Sequence, residues 1–356
     1  MEALNQSATA KIHGEPNQAV FTDDGKRKLC FGGYLVMKMT DHKFLQKRSE
    51  AVYADPEAQK IDGRHFRVVR VVDTEPQVAL RMGLDPEKDS VKKEQRRDIE
   101  LYRQIAHDNI APLLAVVPNT KIEGLVEVFP LYDSDLLSYV EKNHYQLKDI
   151  QCWMLQVCNA LKFLHDKMIV HSDIKPENIL FKLVNDQQKI AVTDLGWAGE
   201  VGTTFCSATS NCAPEVSSFW WQEDYSRFSL VADVSQLKKE KKRHCVNDVW
   251  SLGFTIRLLV DYFDRDGRER NTIRDFLEGK PSGDLKHIET LIDKLVLWTS
   301  KSRGNAYCQV EDTREARSAM RMLLMLTQNT MTPDPAKRFV IQETENVLKA
   351  LPTRTE

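Results

Sequence analysis

What the sequence lacks narrows its class. It has no CxxC pair: its seven cysteines, Cys30, Cys152, Cys158, Cys206, Cys212, Cys245 and Cys308, are scattered and odd in number. That spacing argues against a zinc site and against a disulfide framework, and it fits thiols used as small core residues in a reducing compartment. No apolar run reaches the roughly 18 residues of a membrane-spanning helix, so no span is expected. Residues 1–17 hold no basic stretch followed by an apolar core, so no secretory leader is expected either. With 50 Lys+Arg against 52 Asp+Glu, no global field draws the protein to nucleic acid or to a membrane surface. No internal repeat is found. The expectation is a cytoplasmic protein, with the nucleus also open.

What is present is a globular pattern. A hydrophobic share of 42% beside 29% charged residues is that of a folded chain, and 356 residues suffice for a two-lobed domain or two ordinary ones. Residues 1–58 are expected to be a partly ordered extension, with a strand or hairpin at 29–39 (LCFGGYLVMKM). Residues 59–130 read as β-rich. Strands are expected at 66–72 (FRVVRVV) and 77–82, joined by a turn at Thr74-Glu75-Pro76, and again at 113–117 and 125–129. One helix is expected at 94–106, with Ile99, Tyr102 and Ile105 on one face. From 131 to 351 the pattern turns helical, ahead of a short tail at 352–356. Residues 149–167 place Met154, Val157, Leu161 and Leu164 in helical register, and 246–261 and 314–327 are further helices. Between them, 217–247 is less regular. It carries Trp220-Trp221, read as packing on the larger part or as a partner surface, and a basic run at 238–243, read as a solvated face or loop rather than a docking patch. The fold class is α+β, with a small β-rich part and a larger helical one.

One segment carries chemistry: His171-Ser172-Asp173-Ile174-Lys175-Pro176-Glu177-Asn178. Phosphoryl transfer needs a carboxylate to take the acceptor's proton, a cation near the moving phosphoryl group, and oxygens that hold Mg²⁺. The segment offers these as H-x-D-x-K-x-x-N, after an amphipathic helix and before a short apolar strand. Thr193-Asp194-Leu195-Gly196, Ala213-Pro214-Glu215, Asp248-Val249-Trp250-Ser251-Leu252-Gly253 and Asp334-Pro335-Ala336-Lys337-Arg338 follow. Over roughly residues 60–350 the chain resembles the eukaryotic protein-kinase superfamily, in its serine/threonine form because a lysine stands two places after Asp173.

The resemblance implies a two-lobed kinase fold, ATP and Mg²⁺ as nucleotide and metal, and a protein substrate or protein partner. It makes Asp173 the catalytic carboxylate, Lys175 the cation beside the γ-phosphate, and Asn178 and Asp194 the metal ligands. Val69 and Ala79 would roof the adenine and Leu180 would floor it. The backbone from Val128 through Phe129 to Leu131 would pair with the base, and Asp135 would reach the ribose. Glu215 would pair with Arg338, and Asp248 would anchor the catalytic-loop backbone.

The small part departs from the family. The glycines of G-x-G-x-x-G fall on Asp62, Arg64 and Arg67, with Gly63 one place out of register. Without glycines, side chains hold the backbone away from phosphates, though Arg64 and Arg67 could supply charge to them. Arg81 replaces the usual lysine, and its helix partner falls on Asp98, with Glu94 and Glu100 nearby. An arginine–aspartate pair keeps the charge match and moves both groups. Lys38 is a substitute lysine only if some forty residues are inserted before the helix. Ser172 stands where an arginine usually precedes the aspartate, so a phosphate on the following segment lacks a main partner. Trp197 or Phe205 would hold that segment by packing, and 207–211 (SATSN) has lost the usual pattern before Ala213, which bears on peptide recognition. Two readings follow: an atypical serine/threonine kinase, resting on Asp173, Lys175, Asn178 and Asp194, or a pseudokinase acting as an interaction or allosteric module, resting on Arg81 and the lost glycines. A kinase of small molecules fits less well.

Overall fold

The computed structural model describes residues 19–21, 27–31, 34–38, 60–62, 66–71, 77–83, 89–119, 124–207, 209, 211–217, 241–261, 289–290, 292–293, 296, 308–309, 312–332 and 334–352. Two compact units divide the chain, Met1–Tyr132 with Asp194–Gly196, and Asp133–Thr193 with Trp197–Glu356. They are called the small and the large unit below.

In the small unit, β1 (Ala19–Phe21), β2 (Arg27–Phe31) and β3 (Tyr34–Lys38) pair in chain order as an antiparallel sheet of their own. Lys38 therefore closes a strand outside the main sheet and is no substitute for Arg81. The main sheet is formed by β4 (Lys60–Asp62), β5 (Phe66–Val71), β6 (Val78–Gly83), β7 (Ala115–Asn119) and β8 (Gly124–Pro130), in the order β4-β5-β6-β8-β7. Side chains alternate across β6: Val78, Leu80 and Met82 are fully buried, while Ala79 and Arg81 point to the other face and are half-buried. Helix α1 (Asp89–Tyr102) starts and stops earlier than residues 94–106. Tight turns end it, with Gln104 donating to the Leu101 carbonyl and Ile105 to that of Tyr102. Ile105 is buried from beyond the helix end, which kept it in apparent helical register.

In the large unit, β9 (Ser134–Asp135), α2 (Leu136–Val140) and β10 (Tyr145–Gln146) lead into α3 (Leu147–Asp166). Asp149 starts that helix by accepting the Gln146 N–H at 2.7 Å, satisfying an otherwise orphan donor. Its apolar stripe, including Trp153, Met154, Val157, Leu161 and Leu164, is fully buried. Next come β11 (Ile169–Val170), the hairpin of β12 (Ile179–Val184) and β13 (Gln187–Val192), and β14 (Gly199–Glu200), which pairs with β11. Asn185 and Asp186 both take positive φ, 49° and 59°, the two-residue turn that suits a hairpin's twist. Helix α4 (Cys245–Asp261) precedes the short β15 (Cys308–Gln309), α5 (Arg314–Thr330) and α6 (Ile341–Lys349). The α4–α5 approach needs Gly253, since a Cβ there would lie 2.1 Å from Thr330 Oγ1.

Candidate active site

Asp248, fully buried in the first turn of α4, organises the loop that precedes β12. Its Oδ2 accepts the His171 N–H at 2.8 Å and lies 2.9 Å from His165 Nε2, and its Oδ1 accepts the Ser172 N–H at 2.8 Å. Burial pushes its carboxyl up, but hydrogen bonding to His165, the neighbouring imidazoles and the Ser172 amide outweigh this and hold it below the usual carboxylate range. Ser172, so pinned, sits at φ 71°, an uncommon region for a residue with a side chain.

Asp173, next in the chain and 6% exposed, is held by three side chains. Its Oδ2 accepts from Lys175 Nζ at 2.7 Å and Asn178 Nδ2 at 2.9 Å, and its Oδ1 accepts from Asn211 Nδ2 at 3.0 Å. Asn178 Nδ2 also donates to the Asp173 carbonyl at 2.8 Å, so its amide oxygen is the atom left to serve a cation. Asn211 was not anticipated. It lies in the stretch whose lost pattern argued against recognition, and it supplies a fixing bond there.

Glu215 and Arg338 form the expected pair, joined twice at 2.7 and 3.1 Å and both buried. Phe205 packs in a cluster with Cys212, Ala213, Val216, Trp250 and Met331, with Trp197 meeting it edge-on at 6.0 Å while staying 43% exposed. The basic run is solvated at Lys241 and Lys242, but Arg243 is buried, which corrects the reading of the run at its last residue. Residues 241–243 bond back onto 202–205, Gly202 N–H to the Arg243 carbonyl and Phe205 N–H to that of Lys241, both at 2.8 Å. That pairing leaves the Arg243 side chain inside. Trp220 and Trp221 lie outside the described residues.

In the small unit, Arg81 binds three carboxylates. Nη1 donates to Asp98 Oδ2 and, at 2.7 Å, to Glu127 Oε2, and Nη2 donates to Asp194 Oδ1 at 3.0 Å. Asp98 is thus the helix partner; Glu100 is exposed beside Arg103, and the Glu94 side chain lies outside the described residues. Asp98 and Glu127 are fully buried, and each keeps one oxygen without a hydrogen-bond partner. Burial pushes both carboxyls up against the opposing pull of Arg81. Asp194 takes φ 64° and donates its N–H to the Tyr102 hydroxyl at 3.2 Å. Glu127 was missed; a single acid within the apolar strand GLVEVFP was its signal.

The protein kinase domain model matches residues 62–346. This chain belongs to the protein kinase family. It is 27% identical over 274 residues to a probable serine/threonine-protein kinase fhkA of Dictyostelium discoideum, covering 72% of this chain and 41% of that protein. It is 30% identical over 204 residues to mouse cyclin-dependent kinase 10, covering 56% and 52%, and 32% identical over 190 residues to human cyclin-dependent kinase-like 2, covering 51% and 34%. The chain thus spans about half or less of the length of these curated relatives.

Two of the positions expected to meet the nucleotide lie in paired strands of the main sheet. Val69 pairs with Leu80 and Val68 with Arg81. The other stretch is the backbone expected to pair with the base. Val128 is interior to the sheet, its carbonyl accepting the Leu114 N–H at 2.7 Å, and the Leu131 N–H donates to the Gln77 carbonyl at 2.9 Å. Phe129 is buried and pairs with Ala79. The strand pairing has run on past Pro130 and taken up the amide expected to meet the base. In the large unit, Leu180 stands opposite Asp135 in the β9–β12 pairing. The Asp135 carboxylate caps α2, accepting the Ser138 N–H at 2.8 Å and its hydroxyl at 2.7 Å.

Proposed function

We propose that this chain is an atypical serine/threonine protein kinase that transfers the γ-phosphoryl group of ATP to a protein hydroxyl with low nucleotide affinity. The Asp173 carboxylate, oriented at once by Lys175, Asn178 and Asn211, carries this reading. A chain that had abandoned transfer has no need to keep a buried carboxylate so fixed. Asp173 takes the proton of the attacking serine or threonine hydroxyl as the new O–P bond forms and the bond to the leaving diphosphate breaks. Lys175, already at Asp173 Oδ2, offsets charge on the γ-phosphoryl oxygens. Asn211 keeps the carboxylate from rotating.

The metal ligands proposed are the Asn178 amide oxygen and the Asp194 carboxylate, hard oxygen donors of the kind Mg²⁺ takes. Bound Mg²⁺ would draw charge from the phosphates. The base end fits less well, because the Leu131 amide is engaged by Gln77 and Arg81 by three acids. Those engagements favour the second reading, a pseudokinase that works as an interaction module.

Labelled MgATP with a generic protein substrate separates the two. The kinase reading expects transfer that falls about 100-fold or more in Asp173→Asn. No transfer, or transfer unchanged in Asp173→Asn, overturns it.

A further inference from the structure

The structure points to Arg243 as a positioning residue that locks the activation segment to the catalytic loop without a phosphate. This rests on the kinase reading for its consequence, though not for its geometry. Nε donates to Ser172 Oγ at 3.1 Å, directly before Asp173. Nη1 donates to Thr203 Oγ1 at 3.0 Å and the Thr204 carbonyl at 3.1 Å, and Nη2 to the Trp197 carbonyl at 2.9 Å. The guanidinium carbon lies 4.4 Å from the centre of the Phe205 ring. One buried fork thus joins the catalytic loop to both ends of the stretch 197–204.

The sequence brings it there from far along the chain. Arg243 follows Ser172 by 71 residues, and the backbone pairing of 241–243 with 202–205 delivers it. Ser172, at φ 71°, is held from three directions: its N–H by Asp248, its hydroxyl by Arg243, and its carbonyl by the Cys212 thiol at 3.4 Å. A residue in that region persists only where its surroundings fix it. Asp173 inherits its place from Ser172, so Arg243 acts on transfer through its neighbour and touches no reacting atom. Lysine cannot stand in, because a single ammonium does not span four acceptors set around a planar fork.

The test uses the full chain after phosphatase treatment, with Arg243→Lys, Ser172→Ala and the double variant. Hydrogen exchange at 172–173 and 197–205 is read beside kcat and KM for MgATP. In the untreated and treated wild type the segment is equally protected. Arg243→Lys speeds exchange there by about tenfold or more, leaves α3 and α4 protected, and lowers kcat about 10- to 100-fold with little change in KM. Ser172→Ala gives a smaller fall in the same direction, and the double variant is no worse than Arg243→Lys alone. Loosening of the wild-type segment by phosphatase overturns the proposal, as does unchanged local exchange in Arg243→Lys or an even loss across the large unit. If the wild type transfers no phosphoryl group, the kinase reading fails while the exchange arm still decides the role of Arg243.

Discussion

The two units treat buried charge differently. In the large unit every carboxylate oxygen of Asp173, Glu215 and Asp248 meets a donor: Arg338 binds Glu215 twice, and Asp248 receives two backbone amides. Around Arg81 in the small unit, one cation serves three acids, and two buried carboxylate oxygens have no hydrogen-bond partner. A matched network rigidifies, whereas an over-supplied one stores unfavourable charge. The groups proposed for phosphoryl transfer to the acceptor sit in the first kind of environment, and the residue standing in for the nucleotide-binding lysine sits in the second.

The largest effect expected is in the large unit. Arg338→Met leaves the buried Glu215 charge with only the neutral Asn247 amide as its side-chain donor among the described residues and should cost about 3–5 kcal/mol, read as a fall in the denaturant midpoint. The comparison sharpens with paired neutral substitutions. Glu215→Gln breaks a one-to-one buried pair and should destabilise by about 2 kcal/mol, whereas Glu127→Gln removes one of three acids on Arg81 and should stay within about 1 kcal/mol of wild type or stabilise. Equal losses in both variants would erase the distinction between the units.

Acid should then act on the two units with opposite sign and over different pH ranges. Asp98 and Glu127 are raised by burial despite Arg81, with Asp194 the other charge on that cation, so their charged forms weaken the fold at neutral pH. Protonation as pH falls from neutral therefore relieves the small unit. Asp248 is held below its usual value, so its stabilisation is complete above the ordinary carboxylate range and is lost only as pH falls through its lower folded value. Amide exchange at pH 7 and pH 5 should show the Arg81 cluster on β6, β8 and α1 gaining protection, with the Asp248 loop unchanged. The smallest effect concerns the base. With the Leu131 amide engaged, ATP and GTP should differ in affinity by less than about tenfold, the worth of one hydrogen bond; strong preference for ATP would show that the pairing opens.

Much of the proposed transfer machinery was legible because it is contiguous. Asp173, Lys175 and Asn178 lie within one loop, and the family motifs carried the distant Glu215–Arg338 pair. Partners outside any motif were not legible. Glu127 meets Arg81 across 46 residues, Asn211 meets Asp173 across 38, and Arg243 meets Ser172 across 71. A lone acid in an apolar strand hinted at the first; an asparagine in an irregular loop and the last residue of a basic run hinted at nothing. The Gln77–Leu131 bond is between backbone groups, which leave no mark on residue choice.

The most direct measurement is initial-rate phosphoryl transfer across a wide range of MgATP concentration, for wild type and Asp173→Asn. The proposed kinase, with the Leu131 amide and Arg81 already engaged, gives measurable kcat, lost in Asp173→Asn, with KM for MgATP above the usual enzyme range of about 1 μM–1 mM. Tight MgATP binding with no transfer would invert that asymmetry and contradict it.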